Sequence, residues 1–200
     1  MKNISVLFFI LMIGVSSCGK LYLRLRYDVR SFKARDTQDL VSYLKSKGIT
    51  YDRHYRINKK AFDAQSVSSY KPDWPSGLRP VQVRVFDSNG EMFMQWAICE
   101  GFLDSMATLK SFPPVNEGAF DPNTLRQDLL QYTTSDGNIP DVSGLPAYDL
   151  CFVVYWTRAL GELSLQSIRS VTAYRDRYPD KRILLLMVSL DPEKEWKKER

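Results

Sequence analysis

The 200-residue sequence is poor in the residues that most catalytic and metal-binding sites depend on. It has one histidine, His54. That excludes a His-rich metal cluster and leaves any Ser-His-acid triad dependent on His54 alone. Arg53-His54-Tyr55-Arg56 reads as an exposed or edge strand, which is a poor setting for a catalytic base. The three cysteines, Cys18, Cys99 and Cys151, lie far apart in sequence, so no Cys-x-x-Cys dithiol exists. There is no Gly-rich phosphate loop: Gly161 stands alone and no G-x-x-x-x-G-K-[ST] run occurs. The sequence also lacks low-complexity tracts, sustained repeats and long runs of one charge. Its 28 basic and 23 acidic residues leave a net charge of +5, with Arg24, Arg26, Arg30, Lys33 and Arg35 dispersed. Without an accompanying motif, this mild basicity gives no reason to expect nucleic-acid binding. No cofactor is implied. At 44% apolar and 26% charged residues, the chain has the make-up of an ordinary globular protein of one or two domains.

The long apolar run of a membrane span is also missing. Residues 4–15 are apolar, but a run that short suits a secretory signal better than a span, and Lys2 precedes it. Val15-Ser16-Ser17-Cys18 resembles the bacterial lipobox, in which the cysteine becomes the acylated first residue of the mature protein. The expectation is a signal peptide over 1–17 and a palmitate-bearing lipoprotein attached to the membrane through Cys18. Acyl burial contributes about 0.8 kcal/mol per methylene, enough for durable anchoring when several chains are attached. The alternative is a plain signal peptide with an incidental cysteine. Gly19 follows Cys18 in place of an inner-membrane retention Asp, which favours an outer-membrane lipoprotein facing the periplasm of the cell envelope. Cys99 and Cys151 then remain, each in an apolar strand-like run. Two buried thiols or one disulfide are both compatible with an oxidising compartment.

After a tether and possible edge strand over 18–35, one domain is expected over 36–200. Asp36 caps a helix over 36–47 whose apolar residues Leu40, Tyr43 and Leu44 share a face, and Gly48 stops it. A short strand fits within 49–57, and 59–76 reads as a long loop with at most one helical turn. Residues 80–86 and 91–99 alternate around Asp87-Ser88-Asn89-Gly90, a hairpin with Met92, Met94, Trp96 and Ile98 on one side. Asp121-Pro122 opens a helix reaching Tyr132. Residues 136–146 have a linker composition. Two apolar strands, 148–156 and 183–191, flank an amphipathic helix carrying Leu165, Ile168, Val171, Tyr174 and Tyr178. That pattern predicts parallel pairing with a right-handed crossover. A charged helical tail follows over 192–200.

The 148–191 segment resembles the thioredoxin-like family, above all its membrane-anchored TlpA/ResA-type members. In these the first strand ends in Phe-Trp-Ala, and Cys-x-x-Cys opens the next helix. Here Leu160-Gly161-Glu162-Leu163 occupies those positions. Pro80 precedes the hairpin where the family has a cis proline. Val188-Ser189-Leu190-Asp191 resembles the end of the family's parallel strand. The helix, hairpin and second helix precede the strand-helix-strand unit instead of following it. The resemblance therefore implies a three-layer α/β sandwich with a mixed central sheet and circularly permuted elements.

It also implies lost chemistry. Leu160 and Leu163 can neither ionise nor attack, so dithiol exchange is excluded along with peroxidase chemistry that needs a cysteine there. What the family site would retain is a groove lined by Pro80, Trp156, Arg158, Leu160, Gly161, Glu162 and Leu163, able to hold an extended peptide without a thiol. Trp156 reads equally as core, and Glu162 as a dipole-stabilised surface carboxylate. The resulting expectation is a redox-inactive, lipid-anchored module that binds a periplasmic protein or peptide. The alternatives are an oxidoreductase using Cys99 or Cys151 and a structural subunit of an envelope complex.

Overall fold

The structure, a computed structural model, describes residues 33–68, 81–97, 111–114, 123–194 and 196. Cys18, Pro80, Cys99, Ile98, Asp121-Pro122 and the alternating stretch 21–29 lie outside these residues, as does 197–200 of the tail.

Helix α1 (Thr37–Ser46) begins where its cap predicts: Asp36 Oδ1 accepts from Asp39 N–H at 2.8 Å. It ends at Gly48, which takes φ +69°, a conformation that disfavours any side chain. Leu40 and Leu44 are fully buried, each contributing about 1.5–3 kcal/mol of gross apolar burial. Strand β1 (Arg53–Ile57) follows, then α2 (Lys59–Ser68). The hairpin is β2 (Gln82–Asp87) and β3 (Met92–Ala97). Helix α3 (Leu125–Leu129), β4 (Tyr132–Thr133), β5 (Leu150–Trp156), α4 (Glu162–Arg177) and β6 (Ile183–Ser189) complete the order.

The strands form one six-stranded sheet in the order β3-β2-β5-β6-β1-β4. β5 and β6 pair in parallel as their apolar runs predict, and β6 pairs in parallel with β1. The contacts β3–β2, β2–β5 and β1–β4 are antiparallel. β5 and β6 are buried along their whole length because helices cover both faces of the mixed sheet. On one face, Phe152, Val154, Trp156, Leu185 and Met187 pack under Leu40 and Leu44 of α1 and Leu165, Ile168, Val171 and Tyr174 of α4. On the other, Val153, Tyr155, Leu186 and Val188 pack against Leu125 and Leu129 of α3, with Phe62 of α2 at the margin.

Several expectations are corrected. Residues 59–68 are helical, not loop: Asn58 Oδ1 accepts from Ala61 N–H at 2.8 Å, Lys59 pairs with Asp63 one turn on, and Phe62 rests on Trp196. Helix α3 is shorter than the expected 122–132. Its cap is Thr124, in a reciprocal capping box with Gln127. Tyr132 leaves the helix to pair with Ile57 in the sheet. β1 is internal because β4 supplies the edge, so Tyr55 and Arg56 are buried. Met92 and Met94 face opposite sides, since a register shift pairs Phe86 with Met92 but Val85 with Met94. The 136–146 stretch is no bare linker. It carries a 3-10 turn (Val142–Gly144), and Val142 and Leu145 pack on the α3 face. In the tail, Glu193 forms an isolated parallel bridge with Arg35.

Candidate functional site: the loop after β5

The chain leaves β5 at its carboxyl end, the edge of a parallel sheet where ligand sites commonly form. Thr157 caps a short 3-10 turn (Arg158–Leu160), its Oγ1 accepting from Ala159 N–H at 3.1 Å. Gly161 then takes φ +47° and ψ −117°, which lets the chain turn directly into α4. A residue from the end of β6 holds this turn in place. Asp191 Oδ2 accepts from Arg158 N–H at 2.8 Å, and Thr157 Oγ1 donates to Asp191 Oδ1 at 3.1 Å. Ser189 Oγ adds a bond to Asp191 Oδ2 at 3.3 Å. From α4, Ser164 Oγ donates to the Thr157 carbonyl at 2.7 Å. Asp191 is 1% exposed. Burial raises its pKa, and the Arg158, Thr157 and Ser189 bonds oppose that rise without cancelling it.

Of the residues expected to line a groove, Arg158, Leu160, Glu162 and Leu163 are half-buried and share the rim of this turn. Gly161 is buried beneath it. Glu162 is the surface carboxylate expected, paired with Arg169. Pro80 lies outside the described residues. Trp156 is not a groove contact: it is fully buried, stacked on Tyr43 of α1 at 6.2 Å and meeting His54 edge-on at 6.2 Å. The exposed end of that stack is Arg158, whose guanidinium lies 4.7 Å above the Tyr43 ring. The proline with a cis bond among the described residues is Pro113, after Phe112. Phe112 packs on Tyr178, just past the far end of α4 from the turn.

Two buried polar clusters were not foreseen. On the α3 face, Asp128 Oδ1 accepts from Arg84 Nη1 and Asn123 Nδ2. Tyr132 Oη and Tyr155 Oη lie 2.9 Å and 3.0 Å from its Oδ2 and also against each other, so two hydroxyl protons are shared among three contacts. Asp128, Tyr132 and Tyr155 are fully buried, and Arg84 is 5% exposed. Burial acts to lower the Arg84 pKa, but the surrounding Tyr155, Asp128 and Tyr132 oxygens outweigh it and the net shift is upward. Burial, with Asp128 next, drives the Tyr132 phenol well above its ordinary range. The clue in the sequence was the unbroken apolarity of β5 and β6. It requires helices on both faces, so Arg84 in the alternating hairpin strand cannot point to water.

On the α1 face, Arg56 is 3% exposed and ties three segments together. It donates to the carbonyls of Arg35 at 3.0 Å and Asp191 at 2.9 Å, and pairs with Glu193 at 3.1 Å. An open cavity of about 970 Å³ lies beside it, lined by Thr37, Ser42, Thr134 and Glu193 among others. It opens at the start of α1, and no residue of 157–163 lines it.

Cys151 is a free, fully buried thiol, pushed well above the ordinary thiol range by burial and then by Asp128 and Asp52. That is the setting of an inert, enclosed thiol. Among the described residues, no group of three His, Cys, Asp or Glu side chains converges as a metal site would require, and no helix is long and apolar enough to cross a membrane. Compared with models of protein families, with curated proteins and with solved structures, the chain matches none.

Proposed function

We propose that this chain is a redox-inactive, thioredoxin-like module with circularly permuted elements, anchored to the cell envelope through lipid on Cys18, that binds a periplasmic protein or peptide. The observation that carries the reading is the turn at 157–163. A buried carboxylate, Asp191, fixes its backbone, while its rim offers half-buried Leu160, Glu162 and Leu163 where an active relative would offer two thiols. A rigid rim loses little conformational freedom on binding, so such a surface suits recognition. Strand adjacency is in keeping with the fold part of the proposal. The hairpin strand β2 lies antiparallel beside β5, and β5 runs parallel to β6 across α4. The inaccessibility of Cys151 further favours binding over thiol chemistry.

Three measurements test the reading. Insulin reduction by the purified chain is expected to stay at the uncatalysed rate, and robust turnover would overturn the redox-inactive assignment. Labelled palmitate is expected to enter the wild type and not Cys18→Ser. An array of extended peptides is expected to yield binders that Leu163→Glu weakens at least tenfold. An array without binders, or binding indifferent to Leu163→Glu, would remove the groove.

A further inference from the structure

The face of the sheet under α1 holds an imidazole without a hydrogen-bonding partner. Both ring nitrogens of His54 are shut off from solvent, and neither is hydrogen-bonded. Buried polar atoms are rarely left this way, and one that cannot accept a counter-charge is a poor home for a proton. The ring lies between Tyr51 at 6.0 Å and Trp156 at 6.2 Å, and Trp156 carries the Tyr43 ring of α1. The titratable and charged groups on the elements packed around it are Tyr43 and Lys47 from α1 and Tyr51 and Asp52 before β1. Arg56 lies two residues along the strand, Arg158 lies across Tyr43, and Arg175 of α4 pairs with Asp52. None accepts a hydrogen bond from the ring, and Arg56 adds repulsion to any charge placed on it.

We propose that His54 makes the docking of α1 acid-sensitive: protonation of its imidazole undocks α1 from Trp156 and bares the Tyr43–Trp156–His54 stack beside the Arg158 turn. The inference stands apart from the groove reading, because it requires only α1, β1 and the stack. α1 is the element that gives way because its Tyr43 ring rests on the same Trp156 that the imidazole meets edge-on, and Gly48, with open space around it, separates the helix from β1. Burial, and then Arg56, lower the imidazole pKa from 6.5 to about 4. An open form with an ordinary imidazole therefore gains on the closed form by roughly 20-fold at pH 5 and roughly 120-fold at pH 4, relative to pH 7.

His54 is the chain's only histidine, so its ring resonances need no assignment by mutation. The test pairs an NMR titration of that ring in the full chain with hydrogen exchange of 37–46, 150–156 and 183–189, corrected for intrinsic rates, from pH 7.5 to 3.5. The expected result is ring titration near pH 4 and loss of protection in 37–46 alone, with His54→Phe abolishing the response. Titration near 6.5, pH-independent protection of 37–46, or simultaneous loss in all three segments would overturn the proposal. If His54→Phe does not fold, His54→Gln takes its place, because it carries no titrating ring. A response retained in that variant is equally fatal.

Discussion

Each face of this sheet encloses an ionisable group, Asp128 on the α3 face and His54 on the α1 face, and the two are held on opposite terms. On the α3 face, Asp128 gathers Arg84, Asn123, Tyr132 and Tyr155, so that the carboxylate has a donor at each turn. On the α1 face, His54 and the Trp156 indole bury nitrogens that bond to nothing. Donors around a buried carboxylate offset the cost of its desolvation, although Arg84 Nε in the same cluster has no partner. An unsatisfied ring holds only its neutral state. The His54 side is thereby the acid-responsive one, although helices cover both faces.

The harshest way to break the comparison is to remove the centre of the satisfied cluster. Asp128→Ala strands the Arg84 guanidinium inside the protein and is expected to destabilise the fold by about 3–5 kcal/mol in chemical denaturation. Replacing both partners, as in Arg84→Met with Asp128→Leu, leaves no uncompensated charge and is expected to restore most of that loss. A double variant no better than Asp128→Ala would mean that the phenols and Asn123, and not the ion pair, dominate.

The next effect belongs to the unsatisfied face. The His54 pKa is lowered on folding, so the native state binds fewer protons than the unfolded one. The stability this ring contributes is present above pH 6.5 and is lost as pH falls through about 4. The full loss is about 3 kcal/mol, the free energy that corresponds to lowering the imidazole pKa from 6.5 to about 4. Unfolding free energies of wild type and His54→Phe, from chemical denaturation, are expected to diverge by that amount between pH 7.5 and 3.5. Parallel curves would place the ring in contact with an acceptor.

Asp191 sharpens the contrast because its sign is reversed. Burial raises its pKa on folding, so the native state binds its proton more tightly than the unfolded chain. Its contribution is present below the ordinary carboxyl range and is lost as pH rises through the folded value. Asp191→Asn is therefore expected to gain on wild type as pH climbs from 3.5 to 7. A variant that instead loses ground with rising pH would show that the bonds from Arg158, Thr157 and Ser189 outweigh burial.

These particulars indicate what a single sequence can convey. α1, the hairpin and the parallel β5–α4–β6 unit were legible because each rests on local signals: an Asp cap, an Asn-Gly turn, runs too apolar to be exposed. The edge strand β4 was not, since two residues carry no period, and its absence made β1 look like the edge. The helical 59–68 was missed because the Asn58 cap and the Phe62–Trp196 contact matter more than its mixed composition. The turn at 157–163 was located from sequence, but its anchor Asp191 lies more than 30 residues downstream. Trp156 reads equally as rim or core until α1 is known to cover it.

The smallest expected effect concerns the rim. Arg158 lies over Tyr43, and its backbone N–H is held by Asp191. Arg158→Ala keeps the backbone bond and removes only the cation over the ring, so the loss in stability is expected to be about 0.5–1 kcal/mol. It should not alter the pH response of His54, since Trp156 and Tyr43 separate the two side chains. The same change deletes a half-buried cation from the rim on which peptide binding is proposed. Ligand affinity should therefore fall by more than stability does. A variant that loses stability and pH response together, with peptide binding intact, would reassign Arg158 from the rim of a groove to the latch that keeps α1 closed.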